Sequence, residues 1–223
     1  MIKIAIDGPS GSGKSTLAKA LAKKLSYTYV DTGALYRTVA LYMLKIGVDI
    51  SDTAAVADAL KNVTLGIFHS EGTQHVTLNG EDVGDTIRTT EVSMAASKVS
   101  AQPAVRAFLL DTQRNMALTH NVIMDGRDIG TVIFPDAEVK IFLTAGNTSR
   151  AERRYLELRE KGENVTLEQV LADIETRDEN DRTRKEAPAI PAQDAIFLDN
   201  SAFAPEDTLR EALKIIESKL GAL

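Results

Sequence analysis

The chain has 223 residues, 43% hydrophobic and 26% charged, with a formal net charge of −6 and no cysteine. That length can bury one sizeable core, while the acidic balance argues against a nucleic-acid polymer or a membrane as partner, since either needs a basic face. The missing cysteines exclude a disulfide framework, a thiol nucleophile and a thiolate metal site. No apolar run approaches the ~20 residues that span a bilayer, and the first strand meets Asp7 and a glycine loop too soon for a signal peptide. A cytoplasmic, monomeric protein is expected.

In chain order, Ile2-Lys3-Ile4-Ala5-Ile6 alternates like a strand and runs into Gly8-Pro9-Ser10-Gly11-Ser12-Gly13-Lys14-Ser15, which fits G-x-x-x-x-G-K-[ST] at every fixed position. From Lys14 to Leu25, through Thr16, the leucines at 17, 21 and 25 mark one helix face. Strand, glycine turn and helix N-terminus together form an anion cradle. Backbone N–H groups point at phosphate oxygens, Lys14 supplies a full charge as an exposed loop cation, and the Ser15 hydroxyl is placed to bind Mg²⁺. The loop therefore predicts binding of a nucleoside triphosphate.

Tyr27-Thr28-Tyr29-Val30 reads as a second strand and about 34–45 as a helix. Later come the apolar runs 122–124, 139–143 and 195–198, and a last helix from about Pro205 with Leu209, Leu213, Ile216 and Leu220 on one stripe. Each short apolar run is followed by Asp or Thr, as expected for buried parallel strands with polar carboxyl ends. These elements predict an α/β fold: a P-loop three-layer arrangement whose five-stranded parallel sheet is flanked by helices, with the ligand at the strand carboxyl ends. One region departs from it. Between Val63 and Val83, strand-like runs flank Asn79-Gly80, the strongest short hairpin signal, so a small antiparallel sheet is inserted there. Prolines 188 and 191 make 187–192 an irregular connector. The histidines at 69, 75 and 120 show no metal-ligand spacing and read as surface residues.

Three arginine-bearing clusters narrow the chemistry. In Asp31-Thr32-Gly33-Ala34-Leu35-Tyr36-Arg37, Thr32 and Gly33 can open a helix whose N–H groups face a second phosphate held by Arg37; an ordinary capped helix reads equally well. In Asp125-Gly126-Arg127-Asp128, the strand-end Asp125 is placed to help hold Mg²⁺ or orient the attacking group. Gly126 allows a tight turn, and Arg127 can reach a transferring phosphoryl group. In the helical stretches 149–160 and 166–185, Arg150, Arg153 and Arg154 share one face and Arg177, Asp181 and Arg184 another. Glu152, Glu157, Asp178 and Glu179 can serve as local salt-bridge partners, yet two arginine faces beside a P-loop suit a lid that neutralises phosphate charge and excludes water.

These motifs, with Ile87-Arg88-Thr89 and the 139–143 strand, resemble the nucleoside monophosphate kinases, most closely the bacterial cytidylate kinases, from Ile4 to about Asp199. The resemblance implies ATP and CMP or dCMP as substrates, Mg²⁺ as cofactor, and in-line transfer without a covalent intermediate. It implies a core of 1–32, 103–147 and 187–223, a monophosphate-binding insertion of about 33–102 and a lid of about 148–186. It further implies that residues 8–16 and Arg154 bind ATP, and that Thr32, Tyr36, Arg37 and Arg127 belong to the acceptor site, Arg37 and Arg127 on its phosphate. Ser97, Arg106 and Asp128 would face cytosine, Arg177 and Asp181 the ribose, and Arg184 the reaction centre. Lys14, Asp125, Arg127 and Arg184 are the expected catalytic set. Cytosine offers an amino donor at N4 and acceptors at N3 and O2. A carboxylate at 128 with donors at 97 and 106 matches that pattern and would repel the O4 of uracil. Uridylate, thymidylate and shikimate kinases share such a core but would lack this set, and the N-K-x-D motif of GTP switches does not occur.

Overall fold

The computed structural model describes residues 1–70, 73–160 and 162–221. Its elements are β1 (Lys3–Asp7), α1 (Lys14–Leu25), β2 (Thr28–Asp31), α2 (Thr32–Ile46), α3 (Thr53–Leu60), β3 (Leu65–Ser70), β4 (Thr73–Leu78), β5 (Glu81–Asp82), α4 (Thr90–Val99), α5 (Pro103–Thr119), β6 (Val122–Gly126), β7 (Val139–Thr144), α6 (Asn147–Glu160), α7 (Leu167–Thr183), β8 (Ile196–Asp199) and α8 (Pro205–Leu220). A five-stranded parallel sheet runs β2-β6-β1-β7-β8, as the alternation predicts. Its register sets Asp31 beside Asp125, and Asp125 beside Ile6, one residue before β1 ends. The glycine loop, the Asp31 turn and the Asp125 turn therefore leave the same edge of the sheet, where ligands bind in such folds.

One sheet face packs α1 and α8 through Leu17, Leu21, Ala212 and Ile216. The other buries Val30, Met124, Ile129 and Phe134. The inserted unit has its own core of α2, α3, α4 and the β3-β4-β5 sheet. Helix α5 belongs to both, with Val105 and Leu109 in the insertion core and Leu110, Met116 and Ala117 in the sheet core. Between β4 and β5, Asn79 and Gly80 both take positive φ, 51° and 91°, the type I′ turn that matches strand twist.

The inserted sheet grips the main one through side chains. The Gln74 amide accepts from Asp31 N (2.9 Å) and donates to Asp31 O (3.2 Å), and His69 Nε2 lies 2.8 Å from Tyr29 O. These bonds occupy polar groups on β2, an edge strand, as a further strand would. Two expected boundaries move. Helix α2 starts at Thr32, because the Asp31 side chain caps it. Helix α7, opened by a capping box between Thr166 and Gln169, ends at Thr183, so Arg184 stands at its C-cap with φ −59° and ψ 143°, outside the helix, yet it still reaches Asp181 at 3.8 Å and lines the same cleft as Arg177. No helix among the described residues is long and apolar enough to cross a membrane.

Candidate active site

The cleft at the sheet's carboxyl edge has a volume of about 610 Å³ and lies between the glycine loop, the α2 start, α4 and helices α6 and α7. Strand β1 delivers the loop. Its last residue, Asp7, is buried and accepts from Ile129 N and Gly130 N, both at 2.8 Å; burial raises its carboxyl to about 6 although those bonds pull it down. Gly8 follows at φ 150°, where a Cβ would sit 2.0 Å from Leu143 O, so only glycine passes over β7 there. Ser10, Gly11, Gly13, Lys14, Ser15 and Thr16 line the cleft. Gly8, Pro9 and Ser12 shape the loop from behind: Pro9 O accepts from Lys14 Nζ (2.6 Å), and Ser12 O accepts from Asn200 Nδ2 (3.1 Å).

Lys14 departs from its reading as an exposed cation. It is buried, and Nζ bonds the loop's own Pro9 O and Ser12 Oγ. Burial, then Arg127, lowers its pKa well below the ordinary lysine value, against Asp125 and Asp178. A chain of loop, hydroxyl and carboxylate comes next. Ser15 Oγ donates to Asp125 Oδ2 (2.8 Å), while Tyr29 OH donates to Asp125 Oδ1 (2.9 Å). Burial and the neighbouring Asp31 carboxylate raise Asp125 to about 6. A serine hydroxyl and one carboxylate, both facing the cleft, form an oxygen donor set that fits Mg²⁺, which keeps most of its shell for water and phosphate oxygens.

The α2 start differs from a free anion cradle. Asp31 Oδ1 accepts from Ala34 N (2.9 Å), and its other oxygen pairs with Arg37 NH2 (3.0 Å). A carboxylate of the protein itself thus occupies that helix terminus. The Thr32 hydroxyl is buried against Asp125 O (2.8 Å). Gly126 is required by space: a Cβ would meet Ile129 Cδ1 at 2.7 Å and Thr32 Oγ1 at 2.8 Å, and its φ is not positive.

Arg37, Arg127 and Arg177 line the cleft close enough together for Arg177 to feel the charge of the other two. Arg127 Nε donates to Asp181 Oδ2 (3.1 Å). Burial and then Arg127 lower the Arg177 guanidinium to about 10, and the buried Nε atoms of Arg37 and Arg177 have no partner. Burial alone would push Asp181 up, but Arg127, Arg177 and Arg184 hold its carboxyl below the usual value.

At the far end Asp128 is buried between Arg106 and Arg184, with Arg184 NH2 at 3.3 Å; burial raises its carboxyl despite both arginines. Ser97 Oγ donates to Asp181 (3.1 Å). Arg106 stands behind Asp128 rather than on the cleft wall, with its guanidinium 5.6 Å from the Tyr36 ring centroid, because it enters from α5 on the outer side. Arg184 joins this end: its bonds go to Ala187 O, Ser100 Oγ and Asp128.

Arg150, Arg153 and Arg154 of α6 also separate. Arg153 binds the Asn200 backbone O (2.8 Å) and side chain, and Arg154 pairs with Glu157 at the cleft wall. Arg150 is 4% exposed and lies behind the loop. Sequence reasoning missed Tyr29, Ser100 and Asn200. Each acts through a partner more than 80 residues away, Asp125, Arg184 and Ser12 respectively, and no local pattern marks them.

A family profile for cytidylate kinase matches residues 4–218. A cytidylate kinase of Caldicellulosiruptor saccharolyticus is 47% identical over 99% of this chain and 97% of its own length. One of Syntrophotalea carbinolica is 45% identical over 97% and 92%. Among solved structures, a gluconokinase from Sinorhizobium meliloti aligns over 97% of this chain and 92% of its own at a TM-score of 0.50 and 16% identity, a likeness of fold. The chain belongs to the cytidylate kinase family.

Proposed function

We propose that the protein transfers the γ-phosphoryl group of ATP to CMP or dCMP, giving ADP and CDP or dCDP. The observation that carries this reading is the set of groups lining one cleft: a P-loop with Lys14 and the Ser15–Asp125 pair, the arginines Arg37, Arg127 and Arg177, and a buried carboxylate, Asp128. In this reading the glycine loop and Arg154 hold the triphosphate, Arg37 and Arg127 the acceptor phosphate, and Arg177 and Asp181 the ribose. Asp128, fixed by Arg106 and Arg184, keeps lone pairs free to accept the cytosine amine. Segments 33–102 and 148–186 act as acceptor-binding unit and lid on the remaining core. Ser15 and Asp125 would hold Mg²⁺, which when bound spreads the charge of the β- and γ-phosphoryl oxygens.

The acceptor's phosphate oxygen attacks the γ-phosphorus in line with the departing ADP. No side chain forms a covalent bond. Lys14 and Arg127 neutralise the oxygens as charge shifts, and Arg177, beside Arg127, adds its charge from the ribose side; Pro9, Asp181 and the lid hold them in position. ADP release, measured with each nucleoside monophosphate in turn, tests the assignment. The expected result is efficient turnover with CMP and dCMP, much less with UMP, and none with EDTA. Equal rates on all pyrimidine and purine monophosphates would refute the base-reading role of Asp128.

A further inference from the structure

The Arg150–Asp178 pair is not used by the scheme above. Arg150 on α6 and Asp178 on α7 form a 2.5 Å ion pair, and both also bond one residue of the glycine loop. Asp178 Oδ1 accepts from Ser10 N (2.7 Å), and Arg150 NH1 donates to Ser10 O (2.6 Å). The other arginine donors are fixed as well, Nε on Ala145 O (3.0 Å) and NH2 on Asn147 Oδ1 (2.6 Å), so this guanidinium has no freedom to leave.

Ser10 sits between two peptide planes, and all peptides among the described residues are trans. In a trans peptide the C=O and N–H point in opposite directions. Holding Ser10 N–H toward Asp178 therefore turns the Pro9 carbonyl the other way, and that carbonyl receives the Lys14 ammonium at 2.6 Å. Holding Ser10 C=O toward Arg150 turns the Gly11 N–H the other way. Arg150 lies outside the cleft and Gly11 lines it, so this N–H is aimed at the phosphate side. A Cβ on Gly11 would meet Arg150 Cβ and O at 3.3 Å, which shows how closely loop and lid helix are seated.

We infer that Arg150 and Asp178 are positioning residues of the donor site: one ion pair from the lid sets both peptide planes of Ser10, and through them the Lys14 ammonium and the Gly11 N–H. The proposal rests on the reading that this loop holds the donor triphosphate. Charge-assisted bonds give the clamp its stiffness. It also ties the lid to the loop, so the lid's own Arg153, Arg154 and Arg177 keep register with the phosphates.

Asp178→Asn and Arg150→Lys test it in the full-length enzyme with Mg·ATP and CMP. Asn keeps the shape but loses the charge; Lys keeps the charge but its single nitrogen cannot serve Ser10 O, Asp178, Ala145 O and Asn147 at once, so the fixed seat of the guanidinium is lost. Each variant is expected to raise KM for ATP about tenfold, the scale of one charge-assisted hydrogen bond, while KM for CMP stays within about twofold. Calorimetric binding of ATP alone should weaken by the same factor. An unchanged KM for ATP in either folded variant, or an equal rise for both nucleotides, would overturn the proposal. So would failure of both variants to fold, since the pair would then serve the fold and not the loop. Absence of ATP binding in the unsubstituted protein would instead remove the donor-site reading on which the proposal stands.

Discussion

At Lys14 and Asp128 the charge that the proposed mechanism uses is also a structural partner, which changes what substitution should do. Lys14→Ala removes the cation nearest the phosphate loop, and turnover should fall at least ~100-fold. Nζ also satisfies Pro9 O, a bond worth about 1 kcal/mol, but burial and Arg127 disfavour its charge, so the variant should lose less stability than that. Steady-state turnover and urea midpoint measured together check both parts; near-normal turnover would remove the P-loop from the mechanism. Asp128→Asn should narrow the preference for CMP over UMP by ~1–3 kcal/mol, since an amide can donate to the uracil O4 that a carboxylate repels. The same change strips Arg106 and Arg184 of their shared anion, so a stability loss of about 3 kcal/mol should accompany it. The ratio of kcat/KM for the two monophosphates decides the first point; an unchanged ratio in a folded variant would mean that Asp128 does not read the base.

Among the elements, the inserted sheet is the one whose purpose local sequence conceals. Its turn was legible, since Asn79-Gly80 demands a type I′ hairpin wherever it stands between strands. Its docking was not, because Gln74 finds Asp31 across 43 residues and an exposed-looking glutamine carries no signal of the strand edge it will cap. The five parallel strands and the last helix were readable for the opposite reason: buried strands and amphipathic stripes are written in local periodicity. Similarly, the glycine loop lies within one contiguous motif. The groups around Asp128 are assembled from α4, α5, β6 and the α7 terminus, and the contacts of Ser100 and Tyr29 exist only after folding. The hairpin's grip predicts an acceptor-side phenotype. Gln74→Ala frees Asp31, whose carboxylate caps α2 and holds Arg37. KM for CMP should rise ~3–10-fold, the effect of one lost neutral hydrogen bond, with KM for ATP unaffected. Titrating each nucleotide at saturation of the other checks this; a rise in KM for ATP alone would place the hairpin's influence at the donor side.

Across the whole molecule, an acidic protein gathers several of its cations around one cleft. Lys14, Arg37, Arg127 and Arg177 line the same space, and the carboxylates that offset them, Asp31, Asp125 and Asp181, are shared among several partners. Lowered pKa values on Lys14 and Arg177 have the same two leading causes, burial first and Arg127 second. The free protein therefore holds like charges closer than its own anions can offset, a strain that incoming phosphates relieve. Arg177 is the sharpest case, because its Nε is shut off from solvent with no partner. Replacing it by methionine keeps an unbranched apolar stem against its neighbours and removes the cation. Arg177→Met should accordingly make the nucleotide-free protein more stable, by ~1 kcal/mol, while lowering turnover at least ~100-fold. It should also shrink the rise in melting temperature that saturating CMP produces, since that rise reports differential binding to the folded state. Thermal unfolding with and without CMP, alongside the rate assay, supplies all three readings. A variant that melts lower than the parent without nucleotide would show that Asp181 and its neighbours already balance Arg177, and the picture of a cleft held under charge strain for phosphate would fail.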